Sequence, residues 1–187
     1  PTNHLPDLVD SHCHLTWESF DDDRDAVIAR MGEAGVKQAV VVATGVDDAR
    51  AVSAVCDEHD GLYPTAGIHP NDLPEDLDGA LLALEELLRD GGRVAVGETG
   101  LDYYRDYVPP EIQRRAFAAQ IEMALRWDLP VIVHIRDQEG REDAYDDVAE
   151  LIGGRDGLRG VIHCFTGSAE HARRYVEAGF YVSFSGI

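Results

Sequence analysis

Short β-branched runs alternate with amphipathic segments along the whole chain. The runs cover 7–12, 38–43, 62–66, 93–97, 130–135, 159–163 and 180–184. Most are almost continuously apolar, as in Val131-Ile132-Val133, the pattern of a strand buried on both faces. Between the runs, apolar positions recur at helical spacing. Leu77, Leu81, Leu84 and Leu88 share one face of a helix predicted over 75–90, which Gly91-Gly92 stops. A helix over 21–34 opens on an acidic cluster and ends at Gly35. A further helix over 47–59 carries Val52, Val55 and Cys56 on one side. Pro110 can open a helix reaching about Trp127, and Ser168 can cap one that ends near Gly179. The charged stretch 136–147 reads as a loop leading into a helix, and 102–110 is the longest irregular segment.

Doubly buried strands that alternate with helices predict a parallel sheet. Seven strand–helix steps fit an α/β fold of the (β/α)8 TIM-barrel type, with about seven of the usual eight units present. At 187 residues the chain can bury one sizeable core, so 1–187 is expected to form a single barrel domain ending before strand eight.

Four of the runs end in residue types that bind metal: Asp10-Ser11-His12-Cys13-His14, Val96-Gly97-Glu98, Val133-His134 and Ile162-His163. A fifth, from Tyr63 to Gly67, leads into Ile68-His69-Pro70. In a parallel barrel the functional groups lie at the carboxyl ends of the strands. His12 and His14 are two apart on one strand, so their side chains face the same way and can grip one ion. Any single histidine here reads as a hydrogen-bonded core residue, but repetition at consecutive strand ends points to one site. Imidazole and carboxylate donors suit zinc, manganese or another first-row ion. Five candidates, His12, His14, Glu98, His134 and His163, exceed what one tetrahedral ion needs. Two divalent cations (Mg, Mn or Zn) are therefore expected, about 3.5–4 Å apart and bridged by a carboxylate. Histidine-rich barrel hydrolases often bridge with a modified lysine at strand four. The only lysine here is Lys37, before strand two, which leaves Glu98 as the bridge.

Composition adds a constraint. Thirty-six acidic residues against 16 basic ones give a net charge of −20. Such a chain repels nucleic acid at ordinary ionic strength, because backbone binding depends on neutralising phosphates. In 1 M salt the Debye length is only about 3 Å and self-repulsion is screened, so a halophilic origin is expected. The three cysteines form no Cys-x-x-Cys pair, and Cys13 and Cys164 are expected to pack rather than ligate. The polar start Pro1-Thr2-Asn3-His4 lacks a signal-peptide apolar region, and no stretch is long enough to cross a bilayer. The expected location is cytoplasmic, with no membrane partner.

Asp-Ser-His-Cys-His (10–14), Gly-Ile-His-Pro (67–70), Gly-Glu-Thr-Gly-Leu-Asp-Tyr (97–103), Val-Ile-Val-His-Ile-Arg (131–136), His-Cys-Phe-Thr-Gly-Ser (163–168) and Tyr-Val-Ser-Phe-Ser-Gly (181–186) together resemble the TatD family of metal-dependent deoxyribonucleases. The resemblance spans the chain in family order. It implies an amidohydrolase-like barrel in which His12 and His14 hold a first metal with Glu98, while Glu98, His134 and His163 hold a second. It further implies a 3′–5′ exonuclease acting on DNA, single-stranded or at 3′ ends, through a water activated by both ions. The family pattern continues with a Thr-Asp-Ser-Pro-like motif after strand eight. No residue here matches it, so the chain is expected to be part of a longer protein.

The expected catalytic set is Glu98, Arg136 and His69. His69 is placed to contact a substrate phosphate or to pack its loop. Arg136, two residues beyond His134, can reach a phosphate or pair with Glu98 or Asp102. Thr166-Gly167-Ser168 opens a helix whose N-terminus can hold an anion or simply be capped. Tyr103, Tyr104 and Tyr107 can stack on bases or pack on the surface. The expected substrate contacts are His69, Tyr103, Arg136 and Thr166. Two other readings keep the same residues: an esterase acting on a nucleotide or an aminoacyl-tRNA, and an inactive metal-binding or scaffold protein lacking the strand-eight aspartate.

Overall fold

A computed structural model describes residues 7–105 and 107–186. Pro1 to His4, Asp106 in the long irregular segment, and Ile187 lie outside the described residues. The elements follow the predicted alternation: β1 (Leu8–Cys13), α1 (Arg24–Glu33), β2 (Val36–Val41), α2 (Val46–Glu58), β3 (Leu62–Pro64), α3 (Leu77–Arg89), β4 (Val96–Asp102), α4 (Pro110–Arg126), β5 (Val131–Arg136), α5 (Asp143–Ile152), β6 (Gly160–His163), α6 (Ala169–Glu177) and β7 (Phe180–Val182). A single 3-10 turn, Glu18–Phe20, precedes α1.

Every pairing is parallel, in the groups β1-β2-β3 and β4-β5-β6-β7. The groups meet at a bridge between Ala66 and Val96. There Val94 N–H donates to Pro64 O and Gly97 N–H to Ala66 O, each at 2.9 Å. The strand order is therefore sequential, as in a barrel, with β1 and β7 as the free edges among the described residues.

Strand alternation divides the core. Val42, Ala95 and Ile132 form a small interior cluster, with Val40 and Val161 packed against it. Val41, Val131, Val133 and Ile162 turn the other way and join Leu84, Phe117, Ile121 and Tyr175 from the helices in the large cluster. Phe117 on α4 is wholly buried. Phe117→Ala is expected to lower stability by about 3–5 kcal/mol, from lost transfer energy plus the cavity left behind. A urea unfolding midpoint close to that of the parent would contradict this.

Burial on both faces holds for β4 and for the first three residues of β5 but not at the edges. Leu8 and Val9 are exposed on β1 and Tyr181 on β7, because each of these strands has a neighbour on one side only. Predicted boundaries also shift at β4, which continues to Asp102 rather than stopping at 97. Two glycines make this possible. A Cβ on Gly67 would lie 2.5 Å from the Gly97 Cα, and one on Gly100, at φ +138°, would lie 2.0 Å from the His134 carbonyl oxygen. Only bare backbone lets β3, β4 and β5 approach this closely.

Candidate metal centre

The carboxyl ends of β1, β5 and β6, mid-β4 and the loop after β3 surround one cleft of about 790 Å³, lined by His14, His69, Glu98, His134 and His163 among others. Glu98 occupies its floor. The register of β4 on β5 shifts between Val96 and Thr99, so Glu98 stands in a bulge rather than at the strand end. Its N–H donates to Ala43 O at 2.7 Å, and its side chain is almost fully buried.

The two carboxylate oxygens of Glu98 face different histidines. Oε2 lies 3.2 Å from His12 Nε2 and 3.7 Å from His14 Nε2, whereas Oε1 lies 3.3 Å from His134 Nδ1. Burial by itself would raise its pKa, yet hydrogen bonds from His12 and His134 hold it well below the usual carboxylate range. It is an anion at neutral pH.

His14 Nδ1 lies 2.9 Å from Val42 O. A carbonyl only accepts, so Nδ1 carries the proton and the Nε2 lone pair faces Glu98 and His12 Nε2, 3.1 Å away. Burial pushes the pKa of His14 down, keeping the ring neutral. The buried Nδ1 of His12 has no hydrogen-bond partner among the described residues. Its ring stacks on that of His163, with centroids 3.5 Å apart and planes 9° from parallel. The ring nitrogens of His12 and His14 and the Glu98 carboxylate converge here, a donor set that fits a divalent cation displacing the His12 Nε2 proton.

A second set, His69, Glu98 and His134, shares Glu98 with the first. His134 Nε2 lies 3.1 Å from Asp102 Oδ2. Burial would lower the pKa of His134, but Asp102 and Glu98 raise it to about 9. Asp102 is itself fully buried, at the end of β4. It accepts from the Arg105 N–H and the Asn71 Nδ2–H, both at 2.9 Å. Burial would raise its pKa, but His134, Arg105 and Asn71 bring it down to about 2. Asp102 therefore aims and polarises His134, a carboxylate–histidine arrangement typical of metal sites. Sequence reasoning named it only as a possible partner of Arg136. The available signal was an acid two residues after the close-packed Gly100. Asp102→Asn is expected to weaken divalent-ion binding on the His134 side by about 10- to 100-fold, read by equilibrium dialysis; unchanged affinity would remove the orienting role.

Of the remaining predicted site residues, His69, His163, Arg136 and Thr166 line the cleft and Tyr103 does not. His69 Nδ1 accepts from the Asn71 N–H at 3.2 Å, and burial lowers its pKa to about 4. The neutral ring then carries its proton on Nε2 and offers a donor to the cleft. His163 lines the cleft, with its pKa lowered to about 4 by burial and then by His12. The guanidinium of Arg136 lies over the Tyr104 ring, 4.0 Å from its centroid, rather than against Glu98 or Asp102. Thr166 lines the cleft and its Oγ1 is 2.8 Å from the Tyr145 hydroxyl. Ser168 caps α6, accepting from the His171 N–H. Tyr103 is not brought to the cleft: its hydroxyl donates to Asp147 at 2.6 Å and its ring packs on the core.

Cys13 packs against the core and its Sγ meets Val40 O. Cys164 does not follow strand alternation, because β6 ends at His163 and Cys164 takes φ +49°. It turns into the cleft beside Ser185. Burial, then Asp10 and Cys56, pushes the Cys13 thiol up to about 12, and burial followed by Asp57 lifts Cys56 to about 11. Brief alkylation at pH 8 is therefore expected to label Cys164 before Cys13 or Cys56. Peptide mapping that finds Cys13 labelled first would contradict this packing.

Sequentially ordered parallel strands, with a buried carboxylate between imidazoles at one end, make up an α/β fold of the TIM-barrel type with a candidate metal centre. Residues 9–187 match the family described as TatD related DNase, and the chain belongs to that family. It is 37% identical over 181 residues to the uncharacterized metal-dependent hydrolase YabD of Bacillus subtilis, covering 96% of this chain and 69% of that protein. It is 34% identical over 180 residues to the 3'-5' ssDNA/RNA exonuclease TatD of Cronobacter sakazakii, covering 96% and 66%. The crystal structure of YjjV, a TatD homolog from Escherichia coli, superposes with a TM-score of 0.84 at 32% identity, covering 94% of this chain and 66% of that one. The chain thus spans about two thirds of the length of these relatives. Among the described residues, no helix is long and apolar enough to cross a membrane.

Proposed function

We propose that this protein is a metal-dependent phosphodiesterase that shortens single-stranded DNA from its 3′ end, using two divalent cations that share Glu98. The observation that carries this reading is the division of labour within Glu98, one oxygen toward His12 and His14 and the other toward His134. When bound, such ions supply Lewis acidity that activates water and offsets charge on a phosphate. The polynucleotide substrate is inferred from similarity to relatives named as exonucleases.

The chain's own residues have separable roles in this reading. His12, His14 and Glu98 hold one cation. Glu98 and His134 would hold the other, and His163, stacked on His12, lines the same cleft as a further candidate ligand for it. His69 presents Nε2–H to a phosphate oxygen, and Arg136 and Thr166 flank the same cleft. Asp102 keeps His134 aimed. Three free cysteines suit a reducing compartment, and the cytoplasm is the location assigned here.

The test uses protein loaded with Mg, Mn or Zn and a 5′-labelled single strand. Stepwise shortening from the 3′ end that stops with chelator is expected. Hydrolysis of aminoacyl esters with no cleavage of DNA or RNA would replace the nuclease reading with an esterase. Ions bound without turnover of either substrate would leave a metal-binding protein.

A further inference from the structure

The cleft rim carries an aromatic residue that the metal chemistry does not use. Trp17 is 53% exposed, an unusual state for the largest side chain, and it lines the cleft beside His14 and His69. Its ring lies parallel to that of His14, with centroids 4.6 Å apart and planes 9° from parallel. His14 is fixed in turn by Val42 O. One face of the indole is therefore covered by a ring held at the centre, while about half of the side chain stays exposed at the cleft rim.

The backbone around Trp17 is pinned. Leu15 is buried in the core and its carbonyl accepts from Arg24 Nε at 2.6 Å. The Thr16 hydroxyl donates to Asp48 at 2.6 Å, and Trp17 O accepts from the Phe20 N–H at 2.9 Å. An aromatic plane held this way loses little conformational entropy when something flat settles on it.

Charge narrows the kind of ligand. The protein carries a net charge of −20, so a polyanion gains little from long-range attraction. The arginines lining the cleft, Arg105 and Arg136, lie over Tyr107 and Tyr104. Beyond the phosphate at the metal centre a strand gains little from charge here, and stacking is the uncharged contact every base can make.

We propose that Trp17 is a stacking platform for a nucleobase of the single strand, holding the base beside the phosphate that enters the metal centre. The proposal rests on the nuclease reading for its substrate and adds a residue that positions it. It also gives a reason for a single-strand preference, since a paired base is held in the duplex by its partner strand and is not free to move onto the indole.

Two measurements test it. In the first, the metal-loaded parent and Trp17→Phe are titrated with a nuclease-resistant phosphorothioate oligothymidylate, following tryptophan emission. Quenching in the parent that is absent in Trp17→Phe, where only Trp127 emits, is expected. In the second, Trp17→Ala is expected to raise KM for an ordinary single strand roughly tenfold with a smaller change in kcat, and Trp17→Phe to recover most of it. An oligonucleotide abasic at its two 3′-terminal positions should already bind that weakly and be indifferent to Trp17→Ala. A role confined to supporting His14 would penalise both substrates equally, and that result overturns the proposal. So does oligonucleotide hydrolysis without quenching. Quenching without hydrolysis in the parent would instead overturn the nuclease reading and leave the platform standing. Absence of both overturns both.

Discussion

Glu98→Gln is expected to release both divalent ions and abolish hydrolysis. The substitution nearly preserves shape but removes the charge, and it turns an NH2 group toward imidazole lone pairs that a cation would otherwise share. Each oxygen of Glu98 serves a different histidine group, so no other side chain compensates at either. Loss of an outer, orienting partner costs about 10- to 100-fold in affinity or activity; loss of the shared ligand should exceed that at both positions. Metal content after dialysis, by mass spectrometry, and oligonucleotide turnover give the two readouts, with circular dichroism to check that the fold persists. Two ions retained by Glu98→Gln would refute the shared-ligand role.

The second large effect falls on a residue with no side chain. Gly100 sits at φ +138°, and an added Cβ would lie 2.0 Å from the carbonyl oxygen of His134. Unfavourable backbone alone costs about 1–3 kcal/mol, and the clash adds displacement of β5 together with His134. Gly100→Ala is expected to lose more than about 4 kcal/mol, in the exceptional range for one substitution and a large share of a domain's 5–15 kcal/mol. Gly32→Ala is the control: it lies in α1 with nothing within 4 Å of its added Cβ, so it should stay within about 1 kcal/mol of the parent or gain slightly. Urea midpoints for both compare directly, and a Gly100→Ala midpoint near the parent's would sink the argument.

These two residues show where the sequence was readable. The alternation of apolar runs and helical faces located the seven strands and six α-helices of the described residues, because burial acts on each segment through its own period of 2.0 or 3.6. It did not reveal that β1 and β7 are covered on one side only, since coverage depends on neighbours rather than on the strand itself. His12 and His14 were legible as a pair because two-residue spacing on a strand is a local fact. Asp102 and Trp17 were not legible as site residues: one is hidden behind His134 and the other acquires its position only by stacking on His14.

The sequence by itself determined the parallel α/β architecture, the residue types gathered at the strand ends, and Glu98 as the carboxylate available to join two donor sets. Tertiary structure decided the rest: that β4 bulges to seat Glu98 in mid-strand, that His69 lies beside Glu98 and His134 while His163 stacks on His12, and that Tyr103 turns from the cleft to Asp147. The physical reason is common to all of these. Periodicity and residue chemistry are properties of a segment, whereas a bulge, a shared ligand or a stacked ring is set by how closely strands far apart in the chain are allowed to approach.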